Sequence, residues 1–409
     1  MVPRWRIFSI WLGWRWSKNI QRQKKANNLA IAVIAMGILT IIIGLSTGTG
    51  LQLEIEKKVE RFHGTYQIRP YQTNLERDLF PFPKSQLFSD SSEFLSRTNS
   101  QFSYHFAAWK SGIASFKSQM EGAKLFGLDN IPQSISLITH EGSNPNWENS
   151  PNSIWISQEM ARKLGATISD EIQMYFNREG HSTPALRYFK IVGIFNSGIS
   201  EWEDQIIICS LGTIQKLNKW QDDQSQAILL YTKGKTSFTE EQSLTNILPI
   251  DFDVFTSQED FPQLYQWINL FDNNTYLLGI VLAIVASFNS VVVMFIRIIE
   301  KKSSIAILRA MGMNKFGLYT SFMTLFTPSI VKGLLIGNLS SFSLLFIQYY
   351  WGIIPLDPET YYISTVPVAW PWINILNANL FIFITLTLTT WITSMILSKI
   401  HPSRVLQSQ

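Results

Sequence analysis

Leu29–Gly48, LAIAVIAMGILTIIIGLSTG, is a run of 20 residues without a charge. At about 1.5 Å per residue such a run crosses an apolar bilayer core of about 30 Å, so the chain reads as a membrane protein. Two more such runs follow, Tyr276–Ile296 and Ile373–Ser398. Between them Phe316–Leu356 is apolar apart from Lys332. No turn signal divides that stretch, so it reads as one long helix, 316–348, with Pro328 expected to kink it. The expected fold is four transmembrane helices with a large α+β extracytoplasmic domain, 49–275, inserted between helices 1 and 2.

The composition agrees with a mixed protein. Only 16% of the 409 residues are charged while 46% are hydrophobic, below the charge content of about 25% in ordinary soluble domains. One cysteine, Cys209, excludes a disulfide framework and a cysteine-based zinc site.

Charge placement gives the orientation. Before the first run stand Arg4, Arg6, Arg15, Lys18, Arg22, Lys24 and Lys25 with no acid. Segment 297–315 carries Arg297, Lys301, Lys302, Arg309 and Lys315 against Glu300 alone, and the 399–409 tail carries Lys399 and Arg404. The 349–372 loop instead has Asp357 and Glu359. Segment 49–275 holds 19 basic and 27 acidic residues, a net −8 hidden inside the overall +4. Both termini are therefore expected in the cytoplasm and 49–275 outside. The small residues of GLSTGTG weakly suggest a signal cleavage site, but the long run and the 28 residues before it favour an anchor. In residues 1–28 Trp5, Trp11, Trp14 and Trp16 alternate with bases, which suits an interfacial helix on the cytoplasmic leaflet, a topology signal, or both.

Outside, short strand-like runs fall at Thr65–Ile68, Phe102–Trp109, Ile113–Lys117, Ala123–Leu128, Ile154–Ile156, Tyr188–Phe195, Gln205–Cys209, Ala227–Thr232 and Phe252–Phe255. Helical patterns fall at Ser157–Leu164, Leu211–Lys219, Thr239–Ile247 and Ser257–Leu270. Gln72–Ser100 and Gly142–Ser153 read as loops or subdomain joints. Leu51–Phe62 and Phe255–Phe271 are expected to prolong the membrane helices outward as stalks.

Enzyme signatures are nearly missing. Gly234-Lys235-Thr236 resembles the tail of a phosphate-binding loop, but Leu229 stands where its first glycine belongs. His63, His105, His140, His181 and His401 are scattered, so surface or loop roles are the default and no metal is expected. Catalysis by this chain is not expected. Lys332 is a charge inside a span with no acid in any span to pair with it. Snorkelling to lipid phosphate or a subunit interface explains it better than a substrate role. In EKKSSIAILRAMG, Ile305, Leu308 and Met311/Gly312 share a helical face, as in a docking helix or a plain interfacial one.

These features together resemble the FtsX/MacB-type ABC transporter permeases, whose hallmark after the second span is a segment like EKKSSIAILRAMGM, residues 300–313. GLSTGTGLQLEIEKKVERFHGTYQI, ISQEMARKLGATISDEIQMYF, RYFKIVGIFNSGISEWEDQIIIC, LDPETYYISTVPV and HPSRVLQ are most similar to the LolC/LolE lipoprotein-releasing branch. The resemblance implies a bacterial inner-membrane subunit paired with a second permease, the same chain or a paralogue, on a cytoplasmic ABC ATPase dimer. ATP and Mg would belong to that ATPase, with no cofactor in this chain. Glu300, Ile305, Leu308, Arg309, Met311 and Gly312 would form the coupling helix. Leu45, Thr47, Leu51, Tyr276, Leu277 and Ile280 would line a pocket for acylated lipoprotein. The branch's carrier-recruiting hook is shortened here to NREGHSTPALR, with Pro184 and Arg187 retained. The implied activity is lipoprotein extraction for a periplasmic carrier. Activation of a periplasmic partner such as a cell-wall hydrolase, or peptide or drug efflux, are the alternatives.

Overall fold

The computed structural model describes residues 4–18, 24–70, 80–85, 102–136, 138–177, 183–196, 198, 205–232, 244–245, 248–357 and 363–397. In chain order its helices are α1 (Arg4–Lys18), α2 (Lys24–His63), α3 (Gln133–Ser136), α4 (Gln158–Leu164), α5 (Leu211–Asn218), α6 (Ser257–Asp260), α7 (Pro262–Glu300), α8 (Lys302–Ala310), α9 (Lys315–Trp351) and α10 (Trp372–Leu397). The strands are β1 (Tyr66–Pro70), β2 (Phe82–Pro83), β3 (Phe102–Phe116), β4 (Gln119–Leu128), β5 (Thr139–Gly142), β6 (Ser153–Ser157), β7 (Glu171–Phe176), β8 (Ala185–Asn196), β9 (Ile206–Ser210), β10 (Gln224–Ser225), β11 (Ala227–Thr232) and β12 (Phe252–Thr256). Two compact units result. One is Met1–Gln52, Trp267–Pro355 and Thr365–Gln409; the other is Leu53–Gln266 with Leu356–Ser364.

In the first unit, α2, α7, α9 and α10 are long and apolar enough to cross a membrane. α9 runs on through Pro328 as one helix. A stripe along α9, taking every fourth residue from Gly317 through Ser321, Leu325, Ser329, Gly333, Gly337 and Ser341 to Leu345, is buried. Small residues at that spacing let helix backbones approach closely, which is how helices associate where lipid removes the hydrophobic drive. α1 takes the first part of the stripe: the Ser321 hydroxyl donates to the Ser9 carbonyl at 3.1 Å. α2 takes the next part, where Ser329 Oγ donates to Asn27 Oδ1 at 2.6 Å. Ile34 and Ile38 of α2 then fill the space over Gly333 and Gly337. α10 is tied on by reciprocal amide bonds between Asn338 and Asn379, 2.7 and 3.0 Å. α7 reaches α2 where Gly44 faces Thr275 and Gly279 faces Ile41. After α9, the Gln348 side chain accepts from the Ile354 amide and donates to the Val366 carbonyl, both at 3.0 Å, fastening the chain on either side of the outer loop.

The second unit is built on one large sheet, with β2 and β10 paired in a small second one. Among the described residues the order of the large sheet is β12-β1-β11-β3-β4-β9-β6-β8-β5, with β7 paired to β3 and β8. Both faces are covered, which explains why IIIC, AILLY and IWI are unbroken apolar runs rather than alternating ones. Ile207, Ile228, Leu230 and Ile156 point into one core with Met160 and Leu164 of α4 and Ile214 of α5. Ile208, Leu229, Tyr231 and Trp155 point into the other, where Phe62 packs with Phe126 and Phe195. Burying one such aromatic contributes about 1.5–3 kcal/mol, so the outer end of α2 is fastened to the sheet. α4 starts at Ser157, whose hydroxyl accepts from the Met160 amide, and stops at Gly165 in the left-handed region.

Several expected elements merge or split. Phe102–Trp109 and Ile113–Lys117 belong to one strand, β3, which turns at Lys117 into β4. Ser257–Leu270 is interrupted at Phe261: Thr256 and Glu259 form a capping box that starts α6, and Pro262 opens α7. Most of Gln72–Ser100 and Thr239–Ile247, and Gly234-Lys235-Thr236 and HPSRVLQ entirely, lie outside the described residues.

Candidate functional site

Three places concentrate chemistry. The first is α8. Its sequence KSSIAILRA presents two faces. Ala306 is buried, and Ile305 and Leu308 pack with Leu12 of α1 and with Met313 and Leu318. Ile307 and Met311 are exposed, at 54% and 66%. Gly312, also exposed, ends the segment with φ +91°. Glu300 is exposed and Arg309 half-buried. Thus Ile305 and Leu308 hold α8 onto its own chain, while Ile307 and Met311 form its free apolar face. α1 is amphipathic in the same sense. Ser9, Leu12 and Gly13 face α9, whereas Phe8, Ile10 and Trp11 are exposed, with the Arg15 guanidinium 4.9 Å above the Trp11 ring.

The second place is the outer part of the long helices. Leu45 and Leu51 are buried within the chain, and Thr47 turns its hydroxyl back onto the Ile43 carbonyl at 2.8 Å. Tyr276, Leu277 and Ile280 are exposed and continue into an apolar α7 surface through Ile284, Val285 and Phe288. The two sets of expected pocket residues therefore differ: α7 offers open apolar surface, α2 offers packing. Lys332 is exposed on α9, beside the exposed Val331, Leu335 and Ile336. Pro184 and Arg187 are both exposed, at the start of β8.

The third place is one the sequence did not announce. His63, the last residue of α2, is buried, not a surface or loop histidine. Its Nε2 lies 2.5 Å from Asp260 Oδ2, while its Nδ1 lies 3.1 Å from the Gly64 carbonyl. Each ring nitrogen thus lies beside an oxygen. Arg69 of β1 clasps the same carboxylate with both terminal nitrogens, 2.7 and 2.5 Å, and stacks 3.8 Å over the Phe255 ring. All three side chains are at most 5% exposed. Burial alone would raise the Asp260 carboxyl, but hydrogen bonds and charge from His63 and Arg69 hold it below its usual range. No local motif signals this cluster, since His63 and Asp260 are 197 residues apart. His105 sits 3.4 Å from Asp129; the side chain of His140, and all of His181 and His401, lie outside the description.

Nearby on α2, burial and the neighbouring Glu56 push the Glu60 carboxyl up to about 7. A raised carboxyl favours the folded state most below its unfolded value near 4.5, and that advantage is lost as pH rises through 7. Thermal melting of the purified chain at pH 5.5 and pH 8 should show the lower midpoint at pH 8. Glu60→Gln should narrow the gap, by about 2–4 °C for each kcal/mol recovered. Asp260 acts in the opposite sense but only below its ordinary value, outside this window. An unchanged gap in the variant would remove Glu60 from the account.

The chain thus combines a helical unit whose long helices are apolar enough to cross a membrane with an α+β unit formed mostly by Leu53–Gln266. Residues 29–247 match the MacB-like periplasmic core domain and residues 276–402 the FtsX-like permease C-terminal domain. The chain therefore belongs to the FtsX/MacB-type ABC transporter permeases, near the LolC/LolE branch. It is 23% identical to the lipoprotein-releasing system transmembrane protein LolC of Buchnera aphidicola subsp. Schizaphis graminum, across 93% of each chain. It is 22% identical to the corresponding LolE of Haemophilus influenzae, across 98% of this chain and 99% of that one. The periplasmic region of MacB from Actinobacillus actinomycetemcomitans covers 52% of the chain at 13% identity with a TM-score of 0.35.

Proposed function

We propose that this permease extracts lipoproteins from the outer leaflet of a bacterial inner membrane and passes them to a periplasmic carrier, powered by a separate cytoplasmic ATPase dimer. The observation that carries the proposal is the end-to-end correspondence with LolC and LolE, through the helical unit and the α+β unit alike. In this reading α2, α7, α9 and α10 cross the membrane with both chain ends in the cytoplasm and residues 49–275 outside, a placement that the basic flanks support. A second permease subunit completes the complex.

In this reading the exposed α7 surface at Tyr276, Leu277 and Ile280 meets the acyl chains of the cargo. An acyl methylene left in water would cost about 0.8 kcal/mol, so an apolar wall that the chains can reach from the lipid without crossing water suits a triacylated substrate. Leu45, Thr47 and Leu51 back that wall by packing. The coupling helix is α8, with Ile307, Met311 and Gly312 toward the ATPase and Ile305 and Leu308 toward the permease. ATP and Mg are held by that ATPase. Pro184 and Arg187 offer the carrier a short contact, and Lys332 reaches lipid phosphate or the second subunit.

The test is purification of the chain together with its cognate ABC ATPase. Triacylated lipoprotein should co-purify and leave when ATP and Mg are added. Lipoprotein missing under every condition would overturn the assignment.

A further inference from the structure

The buried cluster at Asp260 is unused by the function above, and its position gives it a task. His63 closes α2, Asp260 closes α6 two residues before α7 opens, and Arg69 lies on β1, which pairs with β12, the strand that leads into α6. Gln67 Oε1 accepts from Arg69 Nη1 at 2.6 Å, and the Phe261 ring meets the His63 ring edge-on at 5.7 Å. A single carboxylate thereby joins the end of one long helix, the beginning of the other and the sheet edge they share. A buried carboxylate and guanidinium are an expensive way to fill space, because each must be taken out of water. Apolar residues of similar volume would often serve stability as well, whereas ionic contacts specify one arrangement against its alternatives. Bidentate pairing with a planar guanidinium adds directional stiffness that apolar packing lacks.

We infer that Asp260 is a positioning residue, a latch that fixes the end of α2 against the start of α7 so that the two helices move as one arm during transport. The role in transport rests on the lipoprotein reading; the latch geometry does not, and the experiment separates them. Nitroxide labels are placed on the full chain at the exposed positions Lys57→Cys and Gln263→Cys; Cys209 is fully buried and does not compete for label. With Asp260 intact, pulsed electron–electron resonance should give a single narrow distance distribution. Asp260→Asn should broaden it or add a second population, and Asp260→Glu should partly restore it. In the complex with its ATPase, Asp260→Asn should raise ATP hydrolysed per lipoprotein released several-fold while leaving basal hydrolysis unchanged. An unchanged distance distribution overturns the latch whatever the cargo. A broadened distribution with no lipoprotein release even from the unsubstituted chain keeps the latch and rejects the transport reading. If Asp260→Asn does not fold, the triple variant His63→Phe, Arg69→Met and Asp260→Leu removes the cluster without leaving a lone buried polar group, and the same two outcomes apply.

Discussion

Gly337→Ala is expected to prevent the helical unit from assembling, whereas the same one-atom change at Gly37 should be tolerated. Both glycines lie in apolar helices, and alanine is normally the better helix former by about 1 kcal/mol. Packing reverses that preference at Gly337. A Cβ there would lie 2.7 Å from the Ala35 carbonyl oxygen and 3.1 Å from the Ala35 Cα, and would run into Ile38 Cγ2. Two of those atoms are backbone of α2 and cannot swing aside, so α9 must move away bodily. Overpacking of a close-packed interior costs about 1–3 kcal/mol and more when backbone is struck. At Gly37 an added Cβ meets nothing within 4 Å. Detergent size-exclusion and thermal aggregation of both variants check this. Equal behaviour of the two would mean that α2 and α9 do not pack as described.

Charge placed on the free face of α8 should separate the permease from its ATPase while leaving the permease folded. Ile307→Asp with Met311→Asp changes two exposed apolar side chains that hold nothing in their own chain together. Buried anchors of an interface typically cost about 2–4 kcal/mol each when removed, so co-purification of the ATPase should fall at least about 30-fold. Leu308→Asp differs in kind. Leu308 packs with Leu12, Met313 and Leu318, and a carboxylate there unsettles the α1–α8–α9 contact, lowering the yield of the permease itself. Retention of the ATPase by the double variant would show that α8 docks elsewhere or not at all.

These variants also mark what the sequence could and could not show. Four apolar runs were legible because a bilayer demands length and absence of charge, which need no partner to be read. The buried strands were legible for a related reason: a sheet covered on both faces makes AILLY and IIIC continuous. β7, EIQMYF, alternates at period two, but its polar half keeps it below the apolar runs that betray the others. On α8 the amphipathic period was visible, yet periodicity cannot say which neighbour an apolar face meets. Ile305 and Leu308 face their own chain; Ile307, one residue out of phase with that stripe, stays free. The His63–Asp260–Arg69 cluster was hidden altogether, because its members come from a helix end, a strand and a cap far apart in the chain. Only the pairing of β1 with β12 brings them together.

The most direct test of the central claim is release of cargo by the purified complex. Proteoliposomes containing the chain, its ATPase and a triacylated lipoprotein are given ATP and Mg, and soluble lipoprotein bound to added periplasmic carrier is measured. Release that requires ATP, and that disappears with the Ile307→Asp, Met311→Asp pair, is the predicted result. ATP hydrolysis by an intact complex with the lipoprotein left in the bilayer would contradict it.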